Sequence, residues 1–214
     1  MNWTDNSKII ESVEAEICFL LNDSFYIGNP NNATQLQDDK FKEKLNLPSF
    51  ERVVPSMART AETVGNVACL ADYYREIIRR SKSLGKSFND VRTYFWIRLW
   101  LWNSEKDIHI SFPWYDTLGE IQSFFDWVKD ENEESPFIDI DQGWEFEAVR
   151  KGGYLYLRES DPDCDEEYAN VAVKFEPFKQ AVVALEVRAK DIIEELSNKV
   201  GHNYWTSYLK NVDF

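Results

Sequence analysis

Hydrophobic positions change rhythm along this chain. Ile9, Val13, Ile17, Leu20 and Leu21 recur at three- and four-residue intervals behind the capping candidates Asp5 and Asn6, which predicts an amphipathic helix ending near Asn22-Asp23. Residues 24–27 read as a short extended piece, and Gly28-Asn29-Pro30-Asn31-Asn32 as a turn. A short helix over 38–45 would place Phe41 and Leu45 inward. After Pro55-Ser56 the helical period returns through Val64, Val67, Ala68, Ala71, Tyr74, Ile77 and Ile78, with Gly85 as its stop. Arg75, Arg79, Arg80 and Lys82 gather on the far face, where cations complement a helix C-terminus.

Beyond Gly85 the period shortens to two. Residues 91–102 are rich in β-branched and aromatic side chains and predict a strand covered on both faces. Val91, Thr93, Phe95, Ile97, Leu99 and Leu101 would line one side, and Arg92, Tyr94, Trp96, Arg98, Trp100 and Trp102 the other. A turn over 103–107 leads to a strand with Ile108, Ile110 and Phe112. A helix capped by Asp116 or Thr117 then runs to about Val128 through Ile121, Phe124 and Phe125. Residues 130–135 form a charged linker. Strands are expected over 137–141, 144–149, 154–158 and 168–175, with Lys151-Gly152-Gly153 turning the chain. Pro177 opens a last helix with Phe178, Val182, Leu185, Ala189, Ile192, Ile193 and Leu196 inward and Gly201 after its end.

The resulting class is α+β, an antiparallel sheet packed by helices. One domain is expected over 1–214, with a helical part at 1–86, a sheet-and-helix part at 87–201 and an aromatic tail at 202–214. Strand, acidic turn, strand and helix occur twice, over 94–128 and 154–196. Duplication of a ββα unit gives that pattern, and so does turn chemistry alone. Apolar residues make up 43% and aromatic residues 15%, enough for a core without disulfides or metals. No apolar run approaches a membrane span, and the first residues carry neither a basic segment nor an apolar signal core, so the expected compartment is the cytoplasm.

Charge is very unevenly spread. Residues 1–100 and 171–214 are each neutral in sum, whereas 101–170 hold 5 basic and 19 acidic residues and so carry the whole net charge of −14. Such a field repels nucleic acid and anionic membranes and attracts basic surfaces. Cys18, Cys69 and Cys164 are too widely spaced for a disulfide scaffold or a zinc pattern, and Cys164 sits between Asp163 and Asp165, which disfavours a thiolate. His109 and His202 are too few for most zinc enzymes.

Carboxylate chemistry offers the remaining candidates. The loop Asp161-Pro162-Asp163-Cys164-Asp165-Glu166-Glu167 alternates acids like a calcium loop, but Glu166 and Ala172 stand where that motif needs Gly and Glu. Asp139 with Asp141, and Glu145 with Glu147, share strand faces at a spacing compatible with acid/base work on a glycan, with Trp144 able to stack on a sugar. Polar alternation on a solvent-facing strand gives the same spacing. No GxSxG, phosphate loop or Cys/His pairing is present. Neither cofactor nor metal is expected, and enzyme chemistry is the less favoured reading.

In size, charge and the missing catalytic set, with its acidic stretch over 126–167, the chain resembles the small acidic immunity proteins that bacteria make against their own polymorphic or contact-dependent toxins. No motif of a named immunity family is present, so no functional residue transfers. The resemblance implies tight, neutralising binding of a basic toxin domain, with carboxylates opposing its Lys and Arg. The expected face is Asp139, Asp141, Glu145, Glu147, Asp161, Asp163, Asp165, Glu166 and Glu167, with Trp144 as an apolar anchor. The alternatives are a carboxylate-dependent hydrolase and a subunit of a homo-oligomeric assembly.

Overall fold

Strands and helices alternate through the chain in the computed structural model, which describes residues 3–28, 39–112, 117–131, 135–141, 143–161, 163–164 and 166–209. The strands are β1 (Lys8–Ile9), β2 (Glu14–Leu20), β3 (Ser24–Tyr26), β4 (Lys42–Lys44), β5 (Met57–Arg59), β6 (Ile97–Asn103), β7 (Ile108–Ser111), β8 (Phe137–Asp141), β9 (Trp144–Lys151), β10 (Tyr154–Asp161) and β11 (Glu166–Lys174). The helices are α1 (Thr60–Thr63), α2 (Val67–Ser83), α3 (Phe88–Val91), α4 (Leu118–Lys129) and α5 (Phe175–Val200). The class is α+β, as the sequence predicts, and the sheets are mainly antiparallel. Among the described residues no helix is long and apolar enough to cross a membrane.

The chain divides into two compact units. The first comprises Met1–Glu16, Leu99–Trp114 and Ile121–Val187, and the second Ile17–Arg98, Tyr115–Glu120 and Arg188–Phe214. In the first, a five-stranded sheet runs in the order β1-β11-β10-β9-β8. Strands β8 to β11 form a meander, and β1 adds to β11 in parallel. Alternation sends Trp144, Phe146 and Ala148 of β9, and Leu155 and Leu157 of β10, to the buried side. Phe112 and Phe124 pack against Phe146 there, with ring centroids 4.7 and 5.9 Å away. Between α4 and α5 in this unit, buried Glu186 accepts from Lys129 and from Gln122, both at 2.8 Å.

The second unit is built on α2 and the apolar tail. Leu70, Ala71, Tyr74 and Ile77 of α2 are buried, and the rings of Tyr74, Phe95 and Trp205 lie within 6 Å of one another. The Leu118 amide donates to the Trp205 carbonyl at 2.7 Å, and Gly119 to that of Thr206 at 2.9 Å. A Cβ on Gly119 would stand 2.8 Å from that Thr206 oxygen, so only glycine lets the tail lie so close. Strand β5 pairs with β2 and β4 with β3, both antiparallel.

Several predicted elements differ. Residues 9–21 are the strands β1 and β2 with an irregular link, not a helix. A four-residue interval is also twice the strand period, so Val13, Ile17 and Leu21 share one side of an extended chain as readily as of a helix. Strand β2 is buried from Ala15 to Phe19, so both faces are covered and the alternation is hidden. Residues 39–41 form a single 3-10 turn that leads into β4, in place of the helix expected over 38–45. The predicted helix through 64–78 is broken at Val64-Gly65-Asn66: Gly65 has φ +77° and Val64 is 59% exposed, so that valine lies off the inner line. The strand expected from 91 begins at Ile97, after α3 and a 3-10 turn over Arg92–Phe95. Ser87 is the cause, since its amide and hydroxyl both donate to Asp90 at 2.8 Å and start a helix. Residues 29–32 of the turn expected over Gly28-Asn29-Pro30-Asn31-Asn32, the cap Asp116 and residues 132–134 of the linker lie outside the described residues.

Candidate functional site at the acidic end of the five-stranded sheet

In a meander, alternate turns fall at the same end of the sheet. The β8–β9 and β10–β11 turns therefore meet, while the Gly152-Gly153 turn lies at the other end. Gly143, at φ +73°, sits so close that a Cβ on it would be 3.6 Å from carboxylate oxygens of both Asp161 and Asp163. Asp141 flanks this glycine, and Glu166 and Glu167 open β11. A bulge between Glu159 and Ser160 shifts the register, placing Glu167 instead of Tyr168 opposite Ser160. The structure thus brings Asp141, Asp161, Asp163, Glu166 and Glu167 to one end, all in the first unit. Asp165 lies outside the described residues.

These carboxylates have few internal partners. Asp163, Glu166 and Glu167 are exposed, and none of them, nor Asp161, forms an ion pair with Lys or Arg among the described residues. Asp161 accepts the Asp163 amide at 2.8 Å. Hydrogen bonds from the Cys164 thiol and that amide hold the Asp161 carboxyl below its ordinary value. The same contact with Asp161 pushes the Cys164 thiol up, and desolvation together with Asp161 and Glu166 lifts the Tyr168 hydroxyl to about 12. The thiol is therefore kept protonated, and the Asp161 carboxyl stays ionised at neutral pH. Among the described residues no group of three or more His, Cys, Asp or Glu side chains is arranged to hold a metal ion.

The remaining predicted residues are placed differently. Glu145 and Glu147 project from β9 on the opposite face from Phe146, where Arg158 of β10 lies 2.9 Å from Glu147 and 3.8 Å from Glu145. Much of their charge is answered within the sheet. Asp139 pairs in register with Phe146, so it lies on the inner side, half-buried, and desolvation with repulsion from Asp141 raises its carboxyl pKa. Trp144 corrects the expectation of an exposed anchor. It is buried among Phe112 and Phe146, and its indole Nε1 donates to the buried Glu159 at 2.8 Å. Trp144 alternates in phase with Phe146 and Ala148, which is what sends it inward.

Two apolar residues stand where the indole does not. Strand β8 is an edge of the sheet, and its outward Ile138 and Ile140 are 51% and 64% exposed, opposite Glu147 and Glu145 in register. Sequence reading missed both isoleucines and Arg158. The Gly152-Gly153 turn held the signal for Arg158, since pairing Lys151 with Tyr154 fixes Glu147 opposite it. No protein-family model matches the chain, and no curated protein and no solved structure matches it either.

Proposed function

We propose that this chain is a binding and inhibitory protein of the immunity type, which neutralises a basic protein, such as a toxin domain, by occluding it in the cytoplasm. One observation supports this reading above the others: Asp161, Asp163, Glu166 and Glu167 converge beside the β8–β9 turn with no basic side chain opposing them among the described residues. The carboxylates supply long-range attraction and selectivity, while the nearby Ile138 and Ile140 supply apolar contact that outlasts the encounter. Edge strand β8 also leaves backbone groups for an extended partner segment. The same field disfavours nucleic acid and anionic membranes. A hydrolase built on Glu145 and Glu147 is the weaker reading, because Arg158 already engages both.

Affinity capture from a lysate of the source organism tests the proposal when wild type is run beside a variant carrying Asp163→Lys, Glu166→Lys and Glu167→Lys. A basic protein held by the wild type and lost by the variant is the expected result. Recovery of the same proteins by both would remove the acidic end from the mechanism.

A further inference from the structure

The second unit contains a cleft of about 360 Å³ whose lining includes an arginine and a tryptophan. Leu20, Leu21 and Met57 give it an apolar side, and Trp96 and Arg98 line it where the 3-10 turn passes into β6. Arg98 Nε and Trp96 Nε1 are both shielded from solvent, and neither has a hydrogen-bond partner among the described residues. Arg98 also makes no ion pair among the described residues, although the chain as a whole is acidic. Desolvation lowers the Arg98 pKa against a smaller opposing influence from Cys18, yet a guanidinium keeps its proton at any physiological pH.

The frame around these groups is fixed by backbone bonds. The Leu20 amide donates to the Trp96 carbonyl at 3.0 Å and the Leu21 amide to the Ser56 carbonyl at 2.8 Å. The Asn22 amide donates to the Tyr73 hydroxyl at 2.8 Å, which returns a bond to the Asn22 carbonyl. The cleft is thus held open by the fold. A half-buried guanidinium with no hydrogen-bond or ion-pair partner among the described residues, set beside an apolar wall, is a group that an incoming oxyanion satisfies.

We propose that this cleft binds a small organic oxyanion, a carboxylate or phosphate monoester on a compact apolar body. The terminal nitrogens of the planar Arg98 guanidinium match two oxygens of such a group, with Trp96 beside them in the cleft lining. Leu20, Leu21 and Met57 receive the apolar body, and Ser56 and Thr93 at the rim offer hydroxyls to its polar edge. The volume lies in the range of ordinary small-molecule sites. A cationic ligand is excluded by Arg98. This site lies in a different unit from the acidic end and does not depend on that reading.

The test is a titration of the full chain, 15N-labelled, followed at the Trp96 indole cross-peak, which Trp96→Phe identifies by its loss. Phenyl phosphate and benzoate separate the two anion types, inorganic phosphate tests the need for an apolar body, and benzamidine is the cationic control. Saturable movement with phenyl phosphate or benzoate is expected, with inorganic phosphate weaker by about tenfold and benzamidine without effect. Arg98→Lys keeps the charge but loses the fork, and should weaken binding by about tenfold. Arg98→Met should abolish binding while raising the melting temperature, because a half-buried charge with no partner among the described residues is removed. No movement with either organic anion, or an unchanged response in Arg98→Met, would overturn the proposal.

Discussion

Among the described residues, four carboxylates at the β10–β11 turn stand at or near the surface without a cation, whereas in the cleft of the second unit one guanidinium is partly withdrawn from water without an anion. The first arrangement costs the fold little, since water and salt screen exposed like charges to well below about 1 kcal/mol per pair. The second costs more, because a shielded donor left unbonded forfeits about 1–3 kcal/mol. An exposed excess of charge therefore acts at a distance and sets which partners approach. A buried one is a local demand that a particular chemical group satisfies. Strand β9 is the intermediate case in charge: its Glu145 and Glu147 look equally acidic in sequence but are answered by Arg158.

The largest effects should come from removing the core on which each region rests. Phe146→Ala beneath the five-stranded sheet and Trp205→Ala in the second unit should each cost about 3–5 kcal/mol in urea unfolding, since both rings are fully buried. A cost below about 1 kcal/mol for either would show that the region above it has no such support. Next in size, Glu147→Ala should destabilise by about 1 kcal/mol because it strips Arg158 of its nearer carboxylate. Glu167→Ala, at an exposed acid that accepts a hydrogen bond from Asn170, should stay within about 0.5 kcal/mol. Equal costs for these two would erase the distinction between answered and unanswered carboxylates.

Acid titration sharpens the same contrast in sign. Glu76 is held at about 2, from an ordinary 4.5, chiefly by hydrogen bonds from Arg79 and Arg80. Its folded pKa is depressed, so its contribution to stability is present above about 4.5 and is lost as pH falls from there towards 2. Asp139 runs the other way: its folded pKa is raised by desolvation, so its ionised form is penalised at neutral pH and acidification relieves that penalty. Glu76→Gln should flatten the loss of stability on acidification, and Asp139→Asn should steepen it. Chemical denaturation measured across pH 2 to about 6 reads both slopes.

Legibility in the sequence followed how plainly each segment shows its faces. Strands β8 to β11 alternate openly, and α2, α4 and α5 carry long regular stripes, so their kinds were readable. Strand β2 is covered on both sides and hid its period, while Ser87-Phe88-Asn89-Asp90 held a capping signal that the aromatic run beyond it masked. The acidic end was visible as composition, but its division into paired and unpaired carboxylates needed strand register. Burial of Trp144 was written in its phase with Phe146. The Arg98 cleft was not readable, because it depends on a 3-10 turn meeting strand ends distant in sequence.

The most direct test of the acidic end is kinetic. Once a basic partner is captured, its association and dissociation rates are measured against wild type and the Asp163→Lys, Glu166→Lys, Glu167→Lys variant at low and high salt. Association should slow by about tenfold or more in the variant and lose most of its salt dependence, with dissociation changing less. Association that is equally fast and equally salt-sensitive in both proteins would contradict a binding role for the acidic end.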